Sequence, residues 1–162
     1  MNIPNVSGIL PSADDFPGEV VTRAIVRDVD LGPGAGVLAL ITLDNGHDHT
    51  KPNTFGVRGL LCLNAALDSI ASRVAAGEIA AVGVTGKPFI LGVGADLDGA
   101  SALARGDDPA KPPRERHRDT KEKAIGIAQL GHAVFRRLGE LGVPSFCFIN
   151  GVALGGGLEV AL

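Results

Sequence analysis

The chain has 162 residues, 45% of them hydrophobic, and its 15 Lys and Arg against 18 Asp and Glu leave a formal charge of -3. That apolar share suffices for one domain with a core and excludes a disordered or fibrous chain. The lack of a sustained basic face argues against nucleic acid, whose phosphates need clustered Lys and Arg, and no apolar run is long enough to cross a bilayer. Small-molecule or metabolite partners fit better. Cys62 and Cys147 stand singly in apolar surroundings without metal-ligand spacing and read as buried, reduced thiols. The start Met1-Asn2-Ile3-Pro4-Asn5 lacks a basic flank leading into a hydrophobic core, so a cytoplasmic location is expected.

Residues 1–18 carry Pro4, Gly8, Pro11, Pro17 and Gly18 among few periodic apolars and read as an irregular arm, with 19–162 as the domain proper. Val20, Ala24, Val26 and Val29 mark a first strand, Gly32 to Gly36 a turn, and Val37 to Leu43 a second strand, which together predict an antiparallel hairpin. The glycines do not form a phosphate cradle, because no Lys-Ser/Thr pair and no helix follow them. The polar stretch 44–53 contains His47, Asp48 and His49, too tightly spaced to share a helical face, and reads as a solvated loop. Phe55, Leu60, Leu61, Leu63, Leu67, Ile70 and Val74 then recur at helical spacing over 54–76.

The apolar segment 79–86 follows as a strand, and strand, helix, strand in that order predicts a parallel crossover. Gly92-Val93-Gly94 begins like a dinucleotide fingerprint, but Leu97 stands where the third glycine belongs. Mixed charges and prolines over 105–123 predict a solvated loop that could also meet phosphates, and apolar periodicity predicts a helix over 124–142.

The last segment organises the rest. Val143 to Ile149 reads as a short buried strand, Asn150-Gly151 as a turn, and Gly155-Gly156-Gly157 as the entry to a buried helix beginning Leu158-Glu159-Val160. The first N–H groups of a helix lack partners within it and sit at its positive end, which makes this corner a candidate oxyanion site. Gly156 and Glu159 are three residues apart and project on one helical face, so a carboxylate overhangs the same place. The plainer alternative is that the glycines only let a helix pack closely on a sheet. The sequence stops at Leu162 inside this element without a cap, which reads as a truncated chain.

Two segments, Gly94-Ala95-Asp96-Leu97 and Asn150-Gly151-Val152-Ala153-Leu154-Gly155-Gly156-Gly157-Leu158-Glu159, resemble the signatures of the crotonase superfamily, the enoyl-CoA hydratases and isomerases. Asn53-Thr54-Phe55 stands where that family begins its first helix. The resemblance covers about residues 20–162 and implies an α/β, crotonase-like spiral of ββα units, of which this is the N-terminal portion. It also implies an acyl-CoA substrate, no further cofactor or metal, and assembly as trimers or hexamers. By motif position the oxyanion hole is made by the N–H groups of Ala95 and Gly156, with Asn53, Thr54, Phe55, Gly94, Asp96, Leu97 and Gly155 around the thioester. Glu159 matches the first of two family glutamates that activate water, and the second has no counterpart within these residues.

This sequence departs from the family pattern at Val93, bulkier than the usual alanine, and at Asp98, where several members carry a basic residue for the CoA phosphates. Phosphate contact is therefore expected from Lys51, Arg58 or 114–123. The expected activity is addition of water to a 2-enoyl-CoA. Isomerisation, thioester hydrolysis and membership of a fused β-oxidation protein stand as alternatives, as does a non-catalytic fragment serving only in assembly or ligand binding.

Overall fold

The computed structural model describes residues 13–16, 18–96, 110 and 112–162, with the side chains of 15 and 116–118 left aside. Strands β1 (Arg23–Asp30) and β2 (Val37–Asp44) form the expected antiparallel hairpin, in register from Arg23 opposite Asp44 to Asp30 opposite Val37. Helix α1 (Val57–Ala75) buries Val57, Leu60, Leu63, Leu67 and Ile70, the stripe that helical spacing lays on one face. It crosses to β3 (Ala81–Gly86), which pairs with β2 in parallel from Leu38 opposite Ala81 to Leu43 opposite Gly86. Ala39, Ile41 and Leu43 of β2 meet Val82 and Val84 of β3 and the α1 stripe in one core.

Strand β4 (Phe89–Gly92) leaves this sheet, helix α2 (Pro113–Gly139) follows, and β5 (Ser145–Phe148) returns to pair with β3 in parallel. The sheet order is β1-β2-β3-β5, and β4 pairs in parallel with β6 (Gly151–Ala153) in a second, two-stranded sheet. The chain thus steps twice from the large sheet to the small one, after β3 and after β5. Asn150 ties the two steps together: its Nδ2 donates to the carbonyls of Gly86 and Lys87, both at 2.9 Å. A single helical turn, α3 (Gly156–Glu159), follows β6.

Several expectations change. The solvated loop predicted to end at residue 123 is helical from Pro113 onward. Pro113 at the first helical positions and Glu115 in the first turn are start signals, and Arg, Glu and Lys are good helix formers. Residues 105–109 and 111 lie outside the described residues. The strand over 143–149 is not buried, since Phe146 is 52% and Phe148 49% exposed. It is an edge strand paired with β3 alone, with Val143 and Cys147 against the core and Phe146 and Phe148 turned outward.

Asn150-Gly151 carries the chain from β5 in the large sheet to β6 in the second sheet. The helix after the triple glycine is one turn whose Gly157 and Val160 are buried while Leu158 is exposed, because only one side of it meets other structure. Both cysteines are free and half-buried rather than buried, and burial pushes the Cys147 thiol up. Among the described residues no helix is long and apolar enough to cross a membrane.

Residues 1–12 and 17 of the arm lie outside the described residues, but the rest of it has a structural job. Phe16 is buried in the core. Gly56 caps α1 without a side chain. Glu19 supplies the missing acceptors, its Oε2 taking the Arg58 N–H and its Oε1 the Gly59 N–H, both at 2.8 Å. A buried carboxylate on the first amides of a helix satisfies orphan donors and favours the dipole at once. Glu19→Ala is expected to cost about 2 kcal/mol in thermal unfolding, with Glu19→Gln recovering part of it.

Candidate active site

The polar segment between β2 and α1 is built around one buried cation. Lys87, 3% exposed, donates from Nζ to Asn45 Oδ1 and the Lys51 carbonyl, each at 2.5 Å, and to the carbonyls of His47 and Asp48, each at 2.9 Å. The His47-Asp48-His49 stretch therefore wraps an ammonium group with its backbone. The residues of 46–51 are exposed, as expected of a solvated loop, while its carbonyls turn inward to Lys87. Lys87→Met would leave those acceptors facing an apolar chain, and about 3 kcal/mol of lost stability is expected in denaturant unfolding.

Asn53 is fully buried behind this loop. Its Nδ2 donates to the carbonyls of Leu43 at 2.8 Å and Leu91 at 3.2 Å, and its Oδ1 accepts the Asn45 N–H at 3.1 Å. Its side chain is thus a strut between strands. Thr54 is held by Thr22, whose hydroxyl donates to the Thr54 carbonyl at 2.7 Å and accepts the Thr54 N–H at 3.2 Å. The segment then clamps the corner after β4: Val93 N–H donates to Asn53 O at 2.9 Å, Phe55 N–H to Gly94 O at 2.8 Å and Asp96 N–H to Phe55 O at 3.3 Å.

From the other side, Leu154 N–H donates to Gly92 O at 3.0 Å, and the Gly155 carbonyl accepts the N–H groups of Leu158 and Glu159 at 2.9 and 3.0 Å. Gly94 has φ 99, open to glycine and strained for other residues. A Cβ there would lie 3.4 Å from the Gly156 nitrogen, a measure of how closely the two corners meet.

Between the corners and the inner face of α2 lies a cavity of about 280 Å³, half-open to solvent and mostly apolar. Phe55, Ala95, Asp96, Gly156 and Glu159 all line it, so five of the residues singled out in the sequence come together. Among the described residues the N–H groups of Ala95 and Gly156 have no backbone acceptor, as is also so for Gly94 and Gly155 beside them, whereas those of Val93, Asp96, Leu154 and Gly157 are bonded. Because α3 has a single turn, what it offers is that individual N–H rather than a full helix dipole.

Asn53, Thr54, Gly94 and Gly155 shape the corners without lining the wall. Leu97 and Asp98 lie outside the described residues. Lys51, Arg58 and Arg114 are exposed and do not line the cavity.

Other wall residues were not anticipated. Phe16 arrives from the arm, and Phe135 packs edge-on against Phe55 with ring centroids 5.0 Å apart at 74°. His132 sits with its Nε2 3.8 Å from Glu159 Oε2. The wall positions of α2 are Ala124, Ile127, Ala128, Gly131, His132 and Phe135. They fall at the spacing of one helical face, in which His132 is the polar member, and that break in an apolar stripe is the signal the sequence offered.

No family model matches the chain. It is 50% identical over 42 residues to the fatty acid oxidation complex subunit alpha of Shewanella frigidimarina, a match covering 26% of this chain and 6% of that protein. An enoyl-CoA hydratase/isomerase family protein from Pseudomonas syringae superposes with a TM-score of 0.55 at 27% identity, over 83% of this chain and 44% of that one. An enoyl-CoA hydratase from Bacillus anthracis gives a TM-score of 0.57 at 19% identity, over 83% and 43%. The chain therefore spans less than half the length of these solved structures. Its fold is that of the crotonase superfamily, shared with these enoyl-CoA hydratase and isomerase proteins.

Proposed function

We propose that this chain belongs to an acyl-CoA enzyme that adds water to a 2-enoyl-CoA. The observation that carries the reading is the pair of unpartnered amides, Ala95 and Gly156, on the wall of one apolar cavity that Glu159 also lines. In the reaction, water oxygen bonds to the β-carbon of the enoyl group while Glu159 takes the water's proton. The electron pair of the double bond moves toward the thioester, and the carbonyl oxygen becomes an enolate oxygen. Two N–H donors aimed there stabilise that charge, each by about 3 kcal/mol in barrier height. Return of a proton to the α-carbon completes a 3-hydroxyacyl thioester.

The apolar wall of Phe16, Phe55, Leu60, Ile127 and Phe135 suits the acyl chain, and its low polarity strengthens the hydrogen bonds at the oxygen. No step in this scheme calls on a metal or a further cofactor. A trimeric or hexameric assembly goes with the same reading. The test is turnover of crotonyl-CoA by the protein as its gene encodes it, with product identified as the 3-hydroxy thioester. Formation of a shifted double bond, or of free CoA, would assign the site to isomerisation or thioester hydrolysis instead. The likeness to a fatty acid oxidation complex subunit favours a second reading, in which the site is the hydratase part of a fused β-oxidation protein.

A further inference from the structure

We propose that His132 is the positioning residue for Glu159, holding its carboxylate over the cavity, an inference that rests on the hydratase reading above. Glu159 ends a helix of one turn, and its side chain is 56% exposed. A carboxylate so placed has several rotamers open to it, and a general base works only when held within hydrogen-bond reach of the proton it takes. Among the described residues His132 is the one basic side chain whose nitrogen lies within 4 Å of its carboxylate. The imidazole comes from the last third of α2, a 27-residue helix, and shares the cavity wall with Glu159.

The separation of 3.8 Å is an ion-pair distance and longer than a hydrogen bond. An acyl group filling the cavity lowers the local dielectric and strengthens the pair. The other charged groups nearby are Asp96 on the same wall and Arg136, one helical turn beyond His132, which lines the opposite side of Glu159. Neither is recorded in contact with the Glu159 carboxylate. A histidine merely solvated on the helix surface would make no difference to where Glu159 stands.

Two measurements on the protein as naturally encoded decide the matter. Imidazole nitrogen resonances are compared in wild type and Glu159→Gln, with His47 and His49 as internal references. The His132 signal is expected to move and the references to stay. In steady-state hydration of crotonyl-CoA, His132→Ala is expected to lower kcat about 10-fold with little change in KM, and His132→Gln, which keeps an N–H donor, to recover most of it. An unmoved His132 resonance overturns the proposal whatever the activity. So does an unchanged kcat in His132→Ala when Glu159→Gln has lost turnover. A moved resonance in a wild-type protein that turns over no enoyl thioester sinks the hydratase reading and leaves the pairing standing.

Discussion

Glu159→Gln is expected to lower the turnover of crotonyl-CoA about 1,000-fold while thioester binding stays within a few-fold of wild type. The substitution keeps the size and polarity of a side chain already half in solvent, so the fold has little reason to respond. It removes the ability to accept a proton from water. In the proposed reading binding rests on other groups, the apolar wall and the two amides, and these the change leaves untouched. Unchanged turnover would remove Glu159 from the chemistry. Loss of binding in step with turnover would make it a ligand contact and not a base.

The second large effect is structural. Gly157→Ala would place a Cβ 2.0 Å from the Gly92 carbonyl oxygen and 2.4 Å from its carbon, both backbone atoms that cannot swing aside. That same carbonyl accepts the Leu154 N–H at 3.0 Å, so the displacement would pull apart the bond joining the two glycine corners. Destabilisation of about 3 kcal/mol is expected, together with loss of thioester binding, because the proposed donors Ala95 and Gly156 would be displaced from one another. Gly139→Ala is the control. A Cβ there meets nothing within 4 Å, and stability within about 0.5 kcal/mol of wild type is expected. Equal unfolding midpoints for the two variants would show that the close approach of the corners is not what the triple glycine is for.

Local signals were legible because they depend on spacing alone. The β1-β2 hairpin and the α1 stripe follow from periods of 2 and 3.6, and the parallel crossover follows from element order. The wall placement of Ala95, Gly156 and Glu159 was legible through two glycine motifs and their resemblance to a known family.

What stayed hidden depends on partners far along the chain. Glu19 caps a helix about 40 residues away, a pairing no window of sequence displays. Lys87 carries no local sign of the 44–53 loop that the fold wraps around it. The charged start of α2 carries both loop signals and helix signals, and Pro112 and Pro113 are the cap and the first residue of a helix. The strand over 143–149 has the composition of a buried strand yet forms an edge, because composition does not say which strand is last in a sheet.

The central claim is that two main-chain amides grip one thioester oxygen, and amide proton and nitrogen shifts followed during titration with crotonyl-CoA test it most directly. The account predicts that the Ala95 and Gly156 signals move downfield together and saturate at one ligand concentration, while amides already bonded within the fold, such as that of Leu154, stay near their places. Movement of only one of the pair, or saturation of the two at different concentrations, would contradict it.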